Sequence, residues 1–160
     1  MMLKKAYSFL ERVTPLNTDC GKLCGNACCK GEGEIWLLPD EEKLFCGVDG
    51  FEIKKDLDEY NLICKTSCAD NRALRPFGCR IFPYFPLVSE KDGKIHISLM
   101  PDPRGSMCPL ANGKKRCQPK FERAVRHSVR LLIQDKKYFD YFVSYGDMLK
   151  EIADFKQKLQ

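Results

Sequence analysis

From Pro119 onward the chain places Phe121, Val125, Ser128, Val129 and Leu132 on one face of a 3.6-residue repeat. That spacing predicts an amphipathic helix, with Pro119 in the first turn, where its missing N–H costs nothing. The same period runs on through Tyr138, Tyr141, Phe142 and Tyr145, then Met148, Ile152, Phe155 and Leu159, which predicts one or two further helices. Leu3, Tyr7 and Leu10 predict a short amphipathic helix at the start. Between these ends the pattern changes. "EIWLL" (34–38) has the form of a short apolar strand, and "PDEEKLF" that of a helix start, its Asp40, Glu41 and Glu42 facing the positive end of a helix dipole. Residues 46–63 are mixed, and "DLDEYNLI" fits a strand or a helical turn equally well. "LVSEKDGKIHISL" predicts a β-hairpin turning at Asp92-Gly93. Pro76, Pro83 and Pro86 argue against long regular structure just before it.

These elements point to an α+β chain: a small, irregular, cysteine-rich core from Cys20 to Cys117, expected to be stabilised by metal, with a short hairpin, then a helical segment over 119–160. The chain is predicted to form one domain, 1–160, without internal repeat, low-complexity run or linker. No stretch reaches the roughly 20 apolar residues of a membrane span. Tyr7, Ser8, Glu11 and Arg12 interrupt the core a signal peptide would need, so a cytoplasmic location is expected.

Composition changes this picture in one respect. The chain is 44% hydrophobic and 31% charged, ordinary for a globule, yet 10 of its 160 residues are cysteine. In a reducing compartment, clustered thiols bind metal or do chemistry rather than form a disulfide framework. "CGKLCGNACC" holds Cys20, Cys24, Cys28 and Cys29; Cys64, Cys68 and Cys79 form a second group; Cys108 and Cys117 follow, and Cys46 stands alone. A tetrahedral site takes four thiolate or imidazole ligands, commonly from two short pairs. With only two histidines, cysteine must dominate any such site. The four-residue steps among Cys20, Cys24 and Cys28, and between Cys64 and Cys68, would bring thiols together on a helix face. Gly21 and Gly25 fit a tight loop as well. Adjacent Cys28 and Cys29 would diverge by about 100° on a helix. Two roles are therefore expected for them: one joining Cys20 and Cys24, the other facing a second metal or the core. Eight metal-bound thiolates and two divalent ions would bring the formal charge from +5 to +1, which gives no push toward nucleic acid.

"CGKLCGNACC", followed by Cys64, Cys68 and "RPFGCRIFP" (75–83), resembles the zinc- or iron-chelating cysteine-cluster family, whose pattern is CxxCxxCC with later cysteines and an RPxxCRxFP element. The second element fits without a gap, and Cys108 in "SMCPL" corresponds to a later family cysteine. The first runs CxxxCxxxCC here, one residue longer in each gap. The resemblance spans about residues 20–110 and implies metal binding by Cys20, Cys24, Cys28, Cys29, Cys64, Cys68, Cys79 and Cys108. Some relatives are flagellin lysine N-methylases, so a methyl-transfer or redox enzyme using iron or an iron–sulfur cluster is the alternative to a zinc protein of undefined role. The cysteine spacings match neither the familiar ferredoxin run nor the C-x3-C-x2-C of radical enzymes. "KGEGE" is too short a glycine signal for a cofactor loop. Cys46 has the setting of a packed thiol. Arg75 and Arg80 flank Cys79 and either donate to thiolates or brace their loop. His96 and His127 are expected in solvent, and the Lys120, Arg123, Arg126 and Arg130 stripe is a solvated face before it is a nucleic-acid surface. A protein or nucleic-acid adaptor with structural zinc is the third possibility.

Overall fold

A computed structural model describes residues 2–30, 34–65 and 72–159. The architecture is α+β. Helix α1 (Met2–Glu11) buries Leu3, Ala6 and Leu10, as the spacing predicted. It lies against α4 (Pro119–Leu132), whose buried residues are Phe121, Val125, Ser128, Val129 and Leu132. Small residues let these two helices approach. Ser128 Oγ donates to the Ala6 carbonyl across the interface at 3.1 Å and to its own helix at Ala124 at 2.9 Å, so its buried hydroxyl is satisfied. Gln118, the residue capping α4, fastens the incoming loop by donating from Nε2 to the Thr14 and Leu16 carbonyls at 2.6 and 3.0 Å.

Helix α5 (Lys136–Lys158) is a single helix. Its Tyr138, Phe142, Tyr145, Gly146 and Leu149 are buried, in part against strand β4. The expected apolar stripe ends there: Met148, Phe155 and Leu159 are exposed. A helix of 23 residues is about 35 Å long, while the eight-residue β4 spans about 26 Å, so α5 outruns its support.

Strands β4 (Tyr84–Lys91) and β5 (Lys94–Pro101) pair antiparallel from Tyr84↔Pro101 to Lys91↔Lys94. Asp92 and Gly93 both take positive φ, the twist a two-residue hairpin needs. The hairpin begins three residues earlier than the sequence suggested and holds Pro86 inside it. Both strands of a two-stranded ribbon are edges, where a missing N–H is tolerated. The Phe82-Pro83 peptide bond leading into β4 is cis.

A second, three-stranded sheet has the order β1-β3-β2, with β1 (Ile35–Trp36), β2 (Phe51–Asp56) and β3 (Glu59–Cys64) all antiparallel. It settles "DLDEYNLI" as the turn and outgoing strand of a hairpin. The turn was hidden because Leu57, not glycine or asparagine, adopts positive φ. Of "EIWLL", only Ile35 and Trp36 are strand; Leu37 and Leu38 turn into the interior. "PDEEKLF" forms one 3-10 turn, Glu41–Leu44, preceded by Asp40 in the left-handed region.

Two apolar cores result. The main one joins α1, α4, α5 and the β4–β5 hairpin with α3 (Phe77–Ile81) around Phe77, Phe121 and Phe142. The small one, Leu37, Phe45 and Leu62, lies with the three-stranded sheet.

Candidate functional site

The first cysteine segment is neither one helix nor an open loop. Asp19 opens a 3-10 turn, Cys20–Leu23, its Oδ1 accepting from Gly21 N at 3.0 Å. Gly25 and Asn26 then take positive φ, and Asn26 N donates to the Gly21 carbonyl at 3.0 Å. Gly21 is needed here, because a Cβ would lie 1.7 Å from Asn26 Oδ1. The chain re-enters a helical turn, α2 (Ala27–Lys30), carrying Cys28 and Cys29. Two left-handed residues between Cys24 and Cys28 thus break the helix face that the four-residue spacing suggested.

Cys28 and Cys29 do not point apart. Their Sγ atoms are 3.9 Å from each other, and both side chains line one cavity together with Cys79. The divergence expected of helical neighbours is overcome within a single helical turn. Cys20 packs at the edge of the main core, as does Cys108, next to buried Cys117. Burial raises the Cys20 thiol above its ordinary value, Cys28, Asp19 and Cys108 push it the same way, and the Arg75 guanidinium opposes them. Burial likewise pushes the Cys117 thiol up to about 11, against the pull of the Tyr84 hydroxyl, while the charges of Glu122, Cys108 and Cys20 add to it. Tyr84 also donates to Glu122 at 3.0 Å, so Cys117 sits in a structural network beside the nest.

The other expected ligands are placed differently. Cys64 ends β3 and packs against the small core. Cys24 is half-buried beside the turn, and Cys68 lies outside the described residues, as do Gly31 and Gly33 of "KGEGE". No disulfide joins two of the described cysteines. Among the described residues, no three His, Cys, Asp or Glu side chains form a group of the kind that holds a metal ion. Cys46 is exposed, not packed: it follows the 3-10 turn and lies outside the small core that holds Phe45. His96 and His127 are exposed, with His127 edge-on to Phe9 at 4.3 Å.

Arg80 acts on its own loop rather than as a thiolate donor. Its Nε donates to the Arg75 carbonyl at 2.7 Å, Nη2 donates to the Ala73 carbonyl at 2.9 Å, and the guanidinium stacks 4.3 Å from the Tyr7 ring centre. Arg75 instead faces the nest, lining the cavity with Cys28, Cys29 and Cys79. Beneath this loop lies a residue the sequence did not flag. Glu41 is wholly buried; its carboxylate accepts from Tyr7 Oη, from Leu38 N at 2.7 Å and from Phe77 N at 2.6 Å. It ties α1, the 3-10 turn and α3 together. In the sequence it had the ordinary look of an exposed first-turn acid.

The cavity measures about 250 Å³ and lies between β1, α3, the start of β4 and α5. Its wall is mainly apolar and rich in aromatic rings, including Trp36, Phe77, Phe82, Phe85, Tyr141 and Phe142. Arg104, which also lines it, lies 4.1 Å over the Trp36 ring and pairs with buried Asp102 at 2.6 Å. Trp36 is held on its other contact by Tyr145 at 4.6 Å, and Tyr145 Oη donates to Glu59. The arrangement places polarisable thiols in a largely apolar chamber whose charged lining residues are Glu34, Arg75, Asp102 and Arg104. No protein-family model, no curated protein and no solved structure matches this chain. No helix among the described residues is long and apolar enough to cross a membrane.

Proposed function

We propose that this chain is a metal-binding cysteine-cluster protein, holding zinc or iron through thiolates drawn from Cys20, Cys24, Cys28, Cys29, Cys64, Cys68, Cys79 and Cys108. One observation carries the proposal: the Sγ atoms of Cys28 and Cys29 are 3.9 Å apart. Two thiolates on one tetrahedral zinc, each at about 2.3 Å, are separated by roughly 3.8 Å. The pair is therefore spaced as co-ligands are. Cys79, from the "RPFGCRIFP" segment that resembles the cysteine-cluster family, lines the same cavity. Arg75 would partly neutralise the negative charge of these thiolates.

The aromatic cavity against the same thiols favours a second reading, an iron or iron–sulfur enzyme of methyl-transfer or redox type. Metal analysis and a visible spectrum of anaerobically purified protein separate the two. Bound zinc and a colourless solution support the first; iron with absorbance near 400 nm supports the second. Cys29→Ser should lose most of the metal, and Cys46→Ser should keep it. Protein without bound metal, or a Cys29→Ser variant with its full complement, sinks the proposal.

A further inference from the structure

We infer that the chamber beside Cys28, Cys29 and Cys79 is a binding site for an uncharged, planar molecule of two fused aromatic rings that carries a hydrogen-bond acceptor. The inference goes beyond metal binding and stands whichever ion the thiols hold. Size comes first. A dry apolar cavity of about 150 Å³ accepts benzene, so about 250 Å³ accommodates one further fused ring. Shape and chemistry follow from the walls. Trp36, Phe85 and Tyr141 line the cavity, and aromatic side chains favour a flat aromatic guest by offset and edge-to-face contacts. The charged lining offers little to an ion: Arg104 is engaged by Asp102, Glu34 by Lys54 at 2.7 Å, and Arg75 faces the thiols. An ionised guest would lose its hydration without a dedicated counter-ion.

The acceptor is assigned by Tyr141. Its side chain lines the cavity, and its hydroxyl has no hydrogen-bond partner among the described residues, whereas Tyr7, Tyr84 and Tyr145 each donate to a carboxylate. Burial raises the Tyr141 hydroxyl well above its ordinary value, with the charges of Tyr145 and Glu41 adding to it, so the group stays a donor. When no guest is present that hydroxyl bonds water, so a guest that displaces the water keeps the bond only if it carries an acceptor.

Quinoline, with indene as its analogue lacking the nitrogen, tests this on the protein as purified. Trp36 is the only tryptophan, so its single indole N–H resonance reports the site while calorimetry gives affinity. Saturable quinoline binding with a Kd on the order of 100 µM is expected for a guest of this size. Tyr141→Phe should weaken quinoline about fivefold and leave indene unchanged. Gly78→Leu should abolish both: Gly78 lines the cavity, and a Cβ there meets only ordinary contacts, at 3.7 Å from Ile35 and 3.8 Å from the Trp36 carbonyl. No saturation by about 1 mM quinoline, a Tyr141→Phe variant that binds quinoline as wild type does, or undiminished binding by folded Gly78→Leu overturns the inference.

Discussion

Glu41 shows how much one side chain can organise. It is fully buried and accepts from a tyrosine hydroxyl and two backbone N–H groups belonging to different elements. Removing it leaves the Leu38 and Phe77 N–H groups without an acceptor in the interior. Glu41→Ala is therefore expected to cost about 3 kcal/mol in urea unfolding. The variant Glu41→Gln separates charge from hydrogen bonding. Burial holds the Glu41 carboxyl above its ordinary value of 4.5, although Tyr7, Phe77, Leu38 and Arg80 pull it down. A group raised in the folded state contributes stability that is complete below the unfolded value and is lost as pH rises through the folded one. Wild-type Tm should accordingly lose ground as pH rises above about 4.5, and Glu41→Gln should show a flatter profile. Equal slopes would show that Glu41 is ionised at no cost. Nothing in "PDEEKLF" distinguishes Glu41 from Glu42. Asp40 takes positive φ just before the turn, and Glu41 meets Tyr7 of α1 and Phe77 of α3.

At the scale of elements, periodicity and packing part company along α5. The apolar spacing runs without a break to Leu159, but full burial ends at Leu149, Ile152 is only partly covered, and Phe155 and Leu159 are exposed. Leu149→Ala should cost about 3 kcal/mol, as a buried leucine does, and Phe155→Ser less than about 0.5. Comparable losses at the two positions would mean that the end of α5 is covered. The reverse holds in the first cysteine segment. There the four-residue spacing invited a helix, and Gly25 with Asn26, both at positive φ, turned it into two separate turns. Spacing of like residues says that they can meet on a helix, not that the helix forms. Glycine and asparagine in the gaps were the legible warning.

The molecule as a whole has a main core that adjoins the cysteine nest, through Cys20, Cys108 and Cys117, but is built mostly without it. Leu3, Phe77, Phe121, Val125 and Phe142 are buried aliphatic and aromatic side chains of α1, α3, α4 and α5. Metal bound to the thiols would thus brace one margin of a fold that already has a hydrophobic interior. Chelation is expected to lower Tm while leaving the helical circular dichroism signal and a cooperative transition intact. Collapse of the helical signal on chelation would instead make metal a condition of folding. What the sequence alone determined here was local: α1, α4 and the Asp92-Gly93 hairpin, where amphipathic period and turn chemistry agree with the neighbours the chain finds. It also picked out eight cysteines as expected ligands, Cys28, Cys29 and Cys79 among them, without saying which of them meet. Tertiary structure alone decided which thiols share a wall, that Glu41 is interior, and that an aromatic chamber lies against the nest. Those outcomes depend on contacts between residues some 30 to 110 positions apart, such as Tyr7 with Glu41 and Cys28 with Tyr141 around one cavity. Periodicity reports which face of an element is apolar; it does not report what that face will meet.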